Sequence, residues 1–222
     1  MQKKERFQKF IEHFISEQPD PVTELLYTEP YQLIVAVMLS AQCTDKRVNI
    51  LTPGFFSRFP DAISLSNATF EEVFDLVKSC SYPNNKSKHL IGMAKMLVED
   101  FHSKIPSEID ELQKLPGIGR KSANVIASVI FSKPAMAVDT HVFRVSKRLG
   151  LTTNPKNPFD AEMQLIKNIP EQYIPKAHHW LILHGRYVCQ ARKPKCVECK
   201  ISQICLFFNS NQKSKPANLN IS

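Results

Sequence analysis

A chain of 222 residues with 43% hydrophobic and 23% charged residues is long enough to bury a core without disulfides, and this mix excludes a disordered or fibrous protein. Its formal charge of +8 makes a polyanion the natural partner, although a merely solvated basic face carries the same charge. The longest wholly apolar run, Leu33 to Leu39, is too short to span a bilayer, so no membrane association is expected.

From the N-terminus, Phe7, Phe10, Ile11, Phe14 and Ile15 recur at helical spacing. No signal-type apolar run follows Lys3 and Lys4, and Glu5, Glu12 and Glu17 argue against an organelle presequence, so a cytosolic location is expected. A second helical pattern runs through Leu33, Ile34, Val37 and Met38. Thr69 with Glu72, and Ser107 with Asp110, resemble capping boxes, in which each side chain satisfies a free backbone N–H at a helix start. A later pattern through Ala123, Ile126, Ala127 and Ile130 continues the trend, while strand signals are scarce. The expected fold class is all-α, broken into many short helices by thirteen prolines between Pro19 and Pro175. The polar stretch 211–222 reads as a disordered tail.

Between two helical patterns lies Leu115-Pro116-Gly117-Ile118-Gly119-Arg120-Lys121, a tight hairpin. Gly117 and Gly119 can adopt backbone angles closed to other residues and let the main chain approach another surface, with Ile118 anchored in the core. The N–H groups of the following helix start would suit a phosphate. From glycine spacing alone an ordinary corner between two helices explains the segment equally well.

Read together with Lys121 to Val125 and Ala137-Val138-Asp139-Thr140-His141-Val142-Phe143-Arg144, the hairpin resembles the helix–hairpin–helix DNA glycosylases, specifically the endonuclease III family. The resemblance extends to Leu39 to Gln42, to His178 to Arg186 and to a C-terminal cysteine group, and so covers nearly the whole chain. It implies two helical domains flanking a DNA-binding cleft: a six-helix domain over 22–132 carrying the hairpin, and an iron–sulfur domain over 1–21 and 133–210. It implies a bifunctional glycosylase and abasic-site lyase acting on duplex DNA with oxidised pyrimidines or abasic sites. A monomer in a bacterial cytosol is the expected form.

Base removal followed by strand scission needs a nucleophile that attacks C1′ and stays attached as an iminium, which an amine does. The resemblance makes Lys121 that amine and Asp139 the carboxylate that stabilises the developing oxocarbenium charge. The site is expected to lower the lysine's pKa by burial or by nearby positive charge such as Arg120. Taken singly, Lys121 reads equally as a phosphate-binding surface lysine and Asp139 as the N-cap of a helix over Thr140 to Arg148.

By the same resemblance Gln42 fills the gap left by the extruded nucleotide, Tyr82 wedges the duplex and His141 lies near the active-site mouth, with Leu115, Gly117, Ile118, Gly119, Arg120 and Arg144 among the DNA-binding positions. The loop Ser81-Tyr82-Pro83-Asn84 departs from the family's usual aliphatic residue before Tyr-Asn, so Tyr82 either stacks on the orphaned base or packs locally.

Cys189, Cys196, Cys199 and Cys205 form C-x6-C-x2-C-x5-C, a density of soft thiolates that points to metal. Spacing alone leaves zinc and iron–sulfur open. The family resemblance implies a [4Fe–4S] cluster, whose loop presents Arg192, Lys193 and Lys195 to phosphates. Cys43 and Cys80 fall in helical patterns as core thiols outside the ligand set. The rival readings are an adenine glycosylase acting on oxidised-guanine mispairs, which lacks the lysine and carries a further C-terminal domain, and a non-catalytic DNA-holding module.

Overall fold

The computed structural model describes residues 1–213, and among them every regular element is helical. Helix α1 (Lys3–Glu17) belongs to one compact unit, formed by residues 1–22 together with the segment from Pro134 onward. A second unit, Thr23–Lys133, holds α2 (Pro30–Ser40), α3 (Asp45–Arg58), α4 (Ala62–Ser66), α5 (Phe70–Val77), α6 (Pro83–Phe101), α7 (Ile109–Leu112) and α8 (Arg120–Phe131). The first unit is completed by α9 (Thr140–Leu149), α10 (Pro158–Asn168), α11 (Ile174–Tyr187) and α12 (Leu206–Lys213). Of the tail expected over 211–222, residues through Lys213 continue α12, and 214–222 lie outside the described residues.

In the second unit α2 is the central rod. All seven residues of its apolar run are buried, because α3, α6 and α8 pack around it and leave no face for solvent. No helix among the described residues is long and apolar enough to cross a membrane. Prolines start helices more than they break them: Pro30, Pro83, Pro158 and Pro175 occupy the first turns of α2, α6, α10 and α11, where a missing N–H costs nothing. Pro53 differs from the expected pattern, since it lies inside α3. An internal proline costs about 3 kcal/mol, and burying Phe55 and Phe59 just beyond it returns about 1.5–3 kcal/mol each, so the helix continues.

Thr69 and Glu72 form the expected capping box at the start of α5. Ser107 and Asp110 do not: α7 begins after Glu108 with no side-chain cap, and the Ser107 hydroxyl bonds the Glu108 carboxylate instead. The box fails because α7 starts one residue later than the sequence pattern implies and spans barely one turn.

In the first unit the apolar stripe of α1 meets Trp180, the single tryptophan of the chain. Phe14 stacks on its ring at 5.6 Å, Phe10 meets its edge at 6.1 Å, and the indole N–H donates to the Gln18 carbonyl at 2.7 Å. The buried Arg6 donates to the carbonyls of Ile204 at 2.9 Å and Gly150 at 3.4 Å, which ties α1 to the turn after α9 and to the C-terminal cysteine loop.

Candidate functional site

The hairpin is built as its residues dictate. Leu115 and Ile118 are buried, and the Ile118 N–H closes the turn on the Leu115 carbonyl at 3.1 Å. The two glycines separate into different roles. Gly117 takes φ +80°, and a Cβ there would lie 2.7 Å from His89 Cβ, so the turn demands glycine. Gly119 is extended, φ −88° and ψ 175°, and a Cβ there would meet nothing within 4 Å, contrary to the expectation of a special backbone angle. It is the N-cap of α8 with no side-chain cap, so the first N–H groups of the helix open outward at its positive end.

Arg120 and Lys121 are the first two residues of α8 and both are exposed, while Ala123, Asn124, Ile126 and Ala127 turn inward. The burial expected around Lys121 is therefore not found, because the second position of a helix whose inner face starts at Ala123 points to solvent.

Within the first unit, Asp139 is half-buried and caps α9, its Oδ1 accepting the Val142 N–H at 2.8 Å. It follows the buried non-helical run Ala135 to Val138, whose Ala137 carbonyl lies 2.9 Å from Nδ1 of the buried His178. His141, one turn into α9, packs under Gly185, where a Cβ would come within 2.9 Å of the His141 Cβ. Arg144 is turned inward: Nη2 donates to the Gly185 carbonyl at 2.9 Å and lies 3.2 Å from His141 Nδ1, and Nε donates to the Cys189 carbonyl at 3.1 Å. It holds α9, α11 and the cysteine loop together.

Arg148, four residues on, was not singled out by sequence. It donates to the carbonyls of Gln190 at 2.7 Å and Ala191 at 2.8 Å, lies 3.5 Å from Cys189 Sγ, and covers the Phe207 ring at 4.7 Å. Its own carbonyl accepts the Cys205 thiol at 3.2 Å. The available signal was its i+4 spacing from Arg144 on one helix face.

Cys189, Cys196, Cys199 and Cys205 line one pocket with Leu149 and His184, and none forms a disulfide. The loop that carries them is laced by its own turns, including Lys195 N–H to Val188 O at 2.9 Å and Cys205 N–H to Ser202 O at 3.0 Å. Burial pushes the Cys199 and Cys205 thiols up, and neighbouring cysteines add to the effect, a shift that a cation beside them would oppose. Burial likewise lowers His184 to about 4, leaving a neutral ring with Nε2 3.7 Å from Cys199 Sγ. This donor set fits a thiolate-bound group. Arg192, Lys193 and Lys195 stand exposed on the same loop.

In the second unit, Gln42 and Tyr82 are both exposed and both left-handed, with φ 54° and 56°. Such angles cost a non-glycine residue about 1 kcal/mol or more, and the two turns are joined by the Ser81 hydroxyl donating to the Gln42 carbonyl at 2.7 Å. Tyr82 is 61% exposed, so most of its side chain is open to a partner. Cys43 and Cys80 are not helical: they occupy these same two turns, with sulfurs 3.8 Å apart.

An all-helical chain with this hairpin and a C-terminal cysteine loop defines a class of base-excision DNA repair protein, and residues 35–171 match the model described as HhH-GPD superfamily base excision DNA repair protein. Endonuclease III of Rickettsia felis is 44% identical over 207 residues, covering 93% of this chain and 97% of that protein. The Escherichia coli K12 endonuclease III is 39% identical over 84% of this chain and 88% of its own length. A solved structure of a trapped endonuclease III–DNA covalent intermediate has a TM-score of 0.89 at 36% identity, covering 96% of this chain and 100% of that one. A thermostable thymine-DNA glycosylase, 19% identical with a TM-score of 0.82, shares the fold. The chain therefore belongs to the endonuclease III family, base-excision-repair DNA glycosylases with abasic-site lyase activity.

Proposed function

We propose that this protein excises oxidised pyrimidines from duplex DNA and cleaves 3′ to the resulting abasic site, with Lys121 as nucleophile and Asp139 as its partner carboxylate. The observation that carries the reading is the pairing of an exposed lysine with the uncapped, unobstructed helix start at Gly119. A phosphate received by those N–H groups brings the sugar beside an amine that has no packing duty. Exposure leaves Lys121 to be desolvated by the nucleotide itself as water is expelled.

The Lys121 amine attacks C1′ while the base departs, forming a C1′–N bond as the C1′–base bond breaks. Asp139, kept in place by the Val142 N–H, stabilises the positive charge that develops on the sugar. Ring opening gives an iminium, which acidifies the C2′ proton. Loss of that proton expels the 3′ phosphate, and water then hydrolyses the imine to free the lysine. Gln42 and Tyr82 enter the duplex to hold the space of the extruded nucleotide, and their exposure and fixed left-handed turns support that role. Arg120, His141, Arg192, Lys193 and Lys195 contact the DNA backbone, while Arg144 positions the elements that carry them.

The four cysteines hold a [4Fe–4S] cluster in this reading. Their shared pocket and their freedom from disulfides support it. When bound, the cluster supplies covalent closure of the basic loop.

Borohydride reduction with duplex containing an abasic site tests the lysine. A covalent protein–DNA adduct is expected with the wild type and absent with Lys121→Ala. A folded, DNA-binding wild type that yields no adduct refutes the lyase assignment. Purified protein is expected to be brown with iron and acid-labile sulfide, and colourless protein with stoichiometric zinc refutes the cluster.

A further inference from the structure

The two cysteines outside the C-terminal group lie where the proposed mechanism has most to lose. Cys43 directly follows Gln42, and Cys80 is separated from Tyr82 only by Ser81. Their sulfurs are 3.8 Å apart, with Cys43 half-exposed and Cys80 4% exposed. The turns that carry them have little slack. Ser81 is bonded to Gln42, the Cys43 N–H to the Ser40 carbonyl at 3.0 Å, and the Cys80 N–H to the Val77 carbonyl at 2.8 Å. Lys86, buried in the first turn of α6, donates to the Leu39 carbonyl at 2.7 Å and draws the end of α2 against the start of α6.

We propose that Cys43 and Cys80 form a peroxide-oxidisable dithiol whose disulfide cross-links the Gln42 turn to the Tyr82 turn and weakens engagement of DNA. Access selects Cys43 as the sulfur that meets the oxidant. It attacks the peroxide O–O bond, becoming a sulfenic acid as the peroxide leaves as water or an alcohol. The Cys80 sulfur then attacks Cys43 Sγ, an S–S bond forms, and the sulfenic oxygen leaves as water with the Cys80 proton. The two thiols supply the two electrons that the peroxide consumes. Burial and the neighbouring Cys43 push the Cys80 thiol up to about 11, which suits a group that waits as the resolving thiol, while Lys86 and Arg47 nearby favour its ionised form.

A disulfide requires the sulfurs to close from 3.8 Å to about 2.05 Å. Rotation about the cysteine χ1 torsions can close much of that gap, and the bond then fixes the Gln42 turn covalently to the Tyr82 turn, so the two can no longer adjust separately on meeting DNA. The effect on DNA rests on the reading of these two residues as entering the duplex.

The test treats the full-length protein with hydrogen peroxide, maps its peptides, and measures affinity for duplex containing a non-cleavable abasic analogue while following iron content. The expected result is a Cys43–Cys80 cross-linked peptide and about tenfold weaker binding, restored by dithiothreitol, with neither change in Cys43→Ser or Cys80→Ala. Cys43 proceeding to sulfinic acid while Cys80 stays reduced overturns the inference, as does an equal loss of binding in Cys43→Ser. Tyr82→Ala and Gln42→Ala binding as tightly as wild type overturn the DNA-entry reading instead, and leave the cross-link to be judged by the peptide map.

Discussion

Replacing each hairpin glycine separates what the fold requires from what DNA binding requires. Gly117→Ala forces an L-residue into φ +80°, which costs about 1–2 kcal/mol. Its Cβ would also meet His89 Cβ at 2.7 Å and Cγ at 2.9 Å, atoms fixed to α6, and such overpacking adds about 1–3 kcal/mol. Stiffening the unfolded chain returns about 0.4–1 kcal/mol, so a net loss of about 1–4.5 kcal/mol is expected. Gly119→Ser meets neither cost, since the position is extended and open. Serine is a somewhat better N-cap than glycine and also stiffens the unfolded chain, so stability should stay level or rise by about 0.5–1 kcal/mol. Its side chain occupies the helix start that a phosphate would use, and affinity for abasic duplex should fall about tenfold. Urea unfolding followed by far-UV circular dichroism, paired with a binding titration, measures both quantities. Gly119→Ser that binds as tightly as wild type refutes the phosphate reading, and an undisturbed Gly117→Ala refutes the packing argument.

Asp139→Asn should keep the cap on Val142 and the melting temperature while abolishing base excision, whereas Asp139→Ala should also lose about 0.5–2 kcal/mol; excision by the Asn variant at the wild-type rate would remove the carboxylate from the chemistry. Arg148→Met strips the carbonyls of Gln190 and Ala191 of their donors, and because both bonds are exposed about 1–2 kcal/mol of loop stability should go with them, read as faster iron loss on chelation; unchanged iron retention would contradict it. Burial lowers His179 from its ordinary value of 6.5 to about 4, so the unfolded chain takes up the proton first as pH falls. That contribution is complete above pH 6.5 and is lost progressively as pH falls towards 4, by at most about 3 kcal/mol. His179→Gln should flatten the stability slope in that window, and an equal slope in both proteins would refute the assignment.

Local chemistry made a large part of this molecule readable in one dimension. Helical period, the Thr69–Glu72 box, the Asp139 cap and the hairpin between Leu115 and Lys121 depend on residues within a few positions of each other. The density of Cys189, Cys196, Cys199 and Cys205 likewise announced a thiolate site. Where spacing left a choice, the structure answered from outside the segment. Ser107 lost its capping role because α7 begins after Glu108, and Pro53 was absorbed because Phe55 and Phe59 are buried beyond it.

What the sequence determined by itself was the class of element at each position and the kinds of chemistry available, since propensity, capping and ligand type are properties of neighbours along the chain. Tertiary structure decided which of two similar residues does what. His89 separates Gly117 from Gly119, and the carbonyls of Gly185 and Cys189 turn Arg144 inward. Two cysteines 37 positions apart become neighbours because α2 and α6 are packed together. The reason is distance: these assignments depend on atoms tens of residues away, whose approach is set by packing of buried faces rather than by any local pattern.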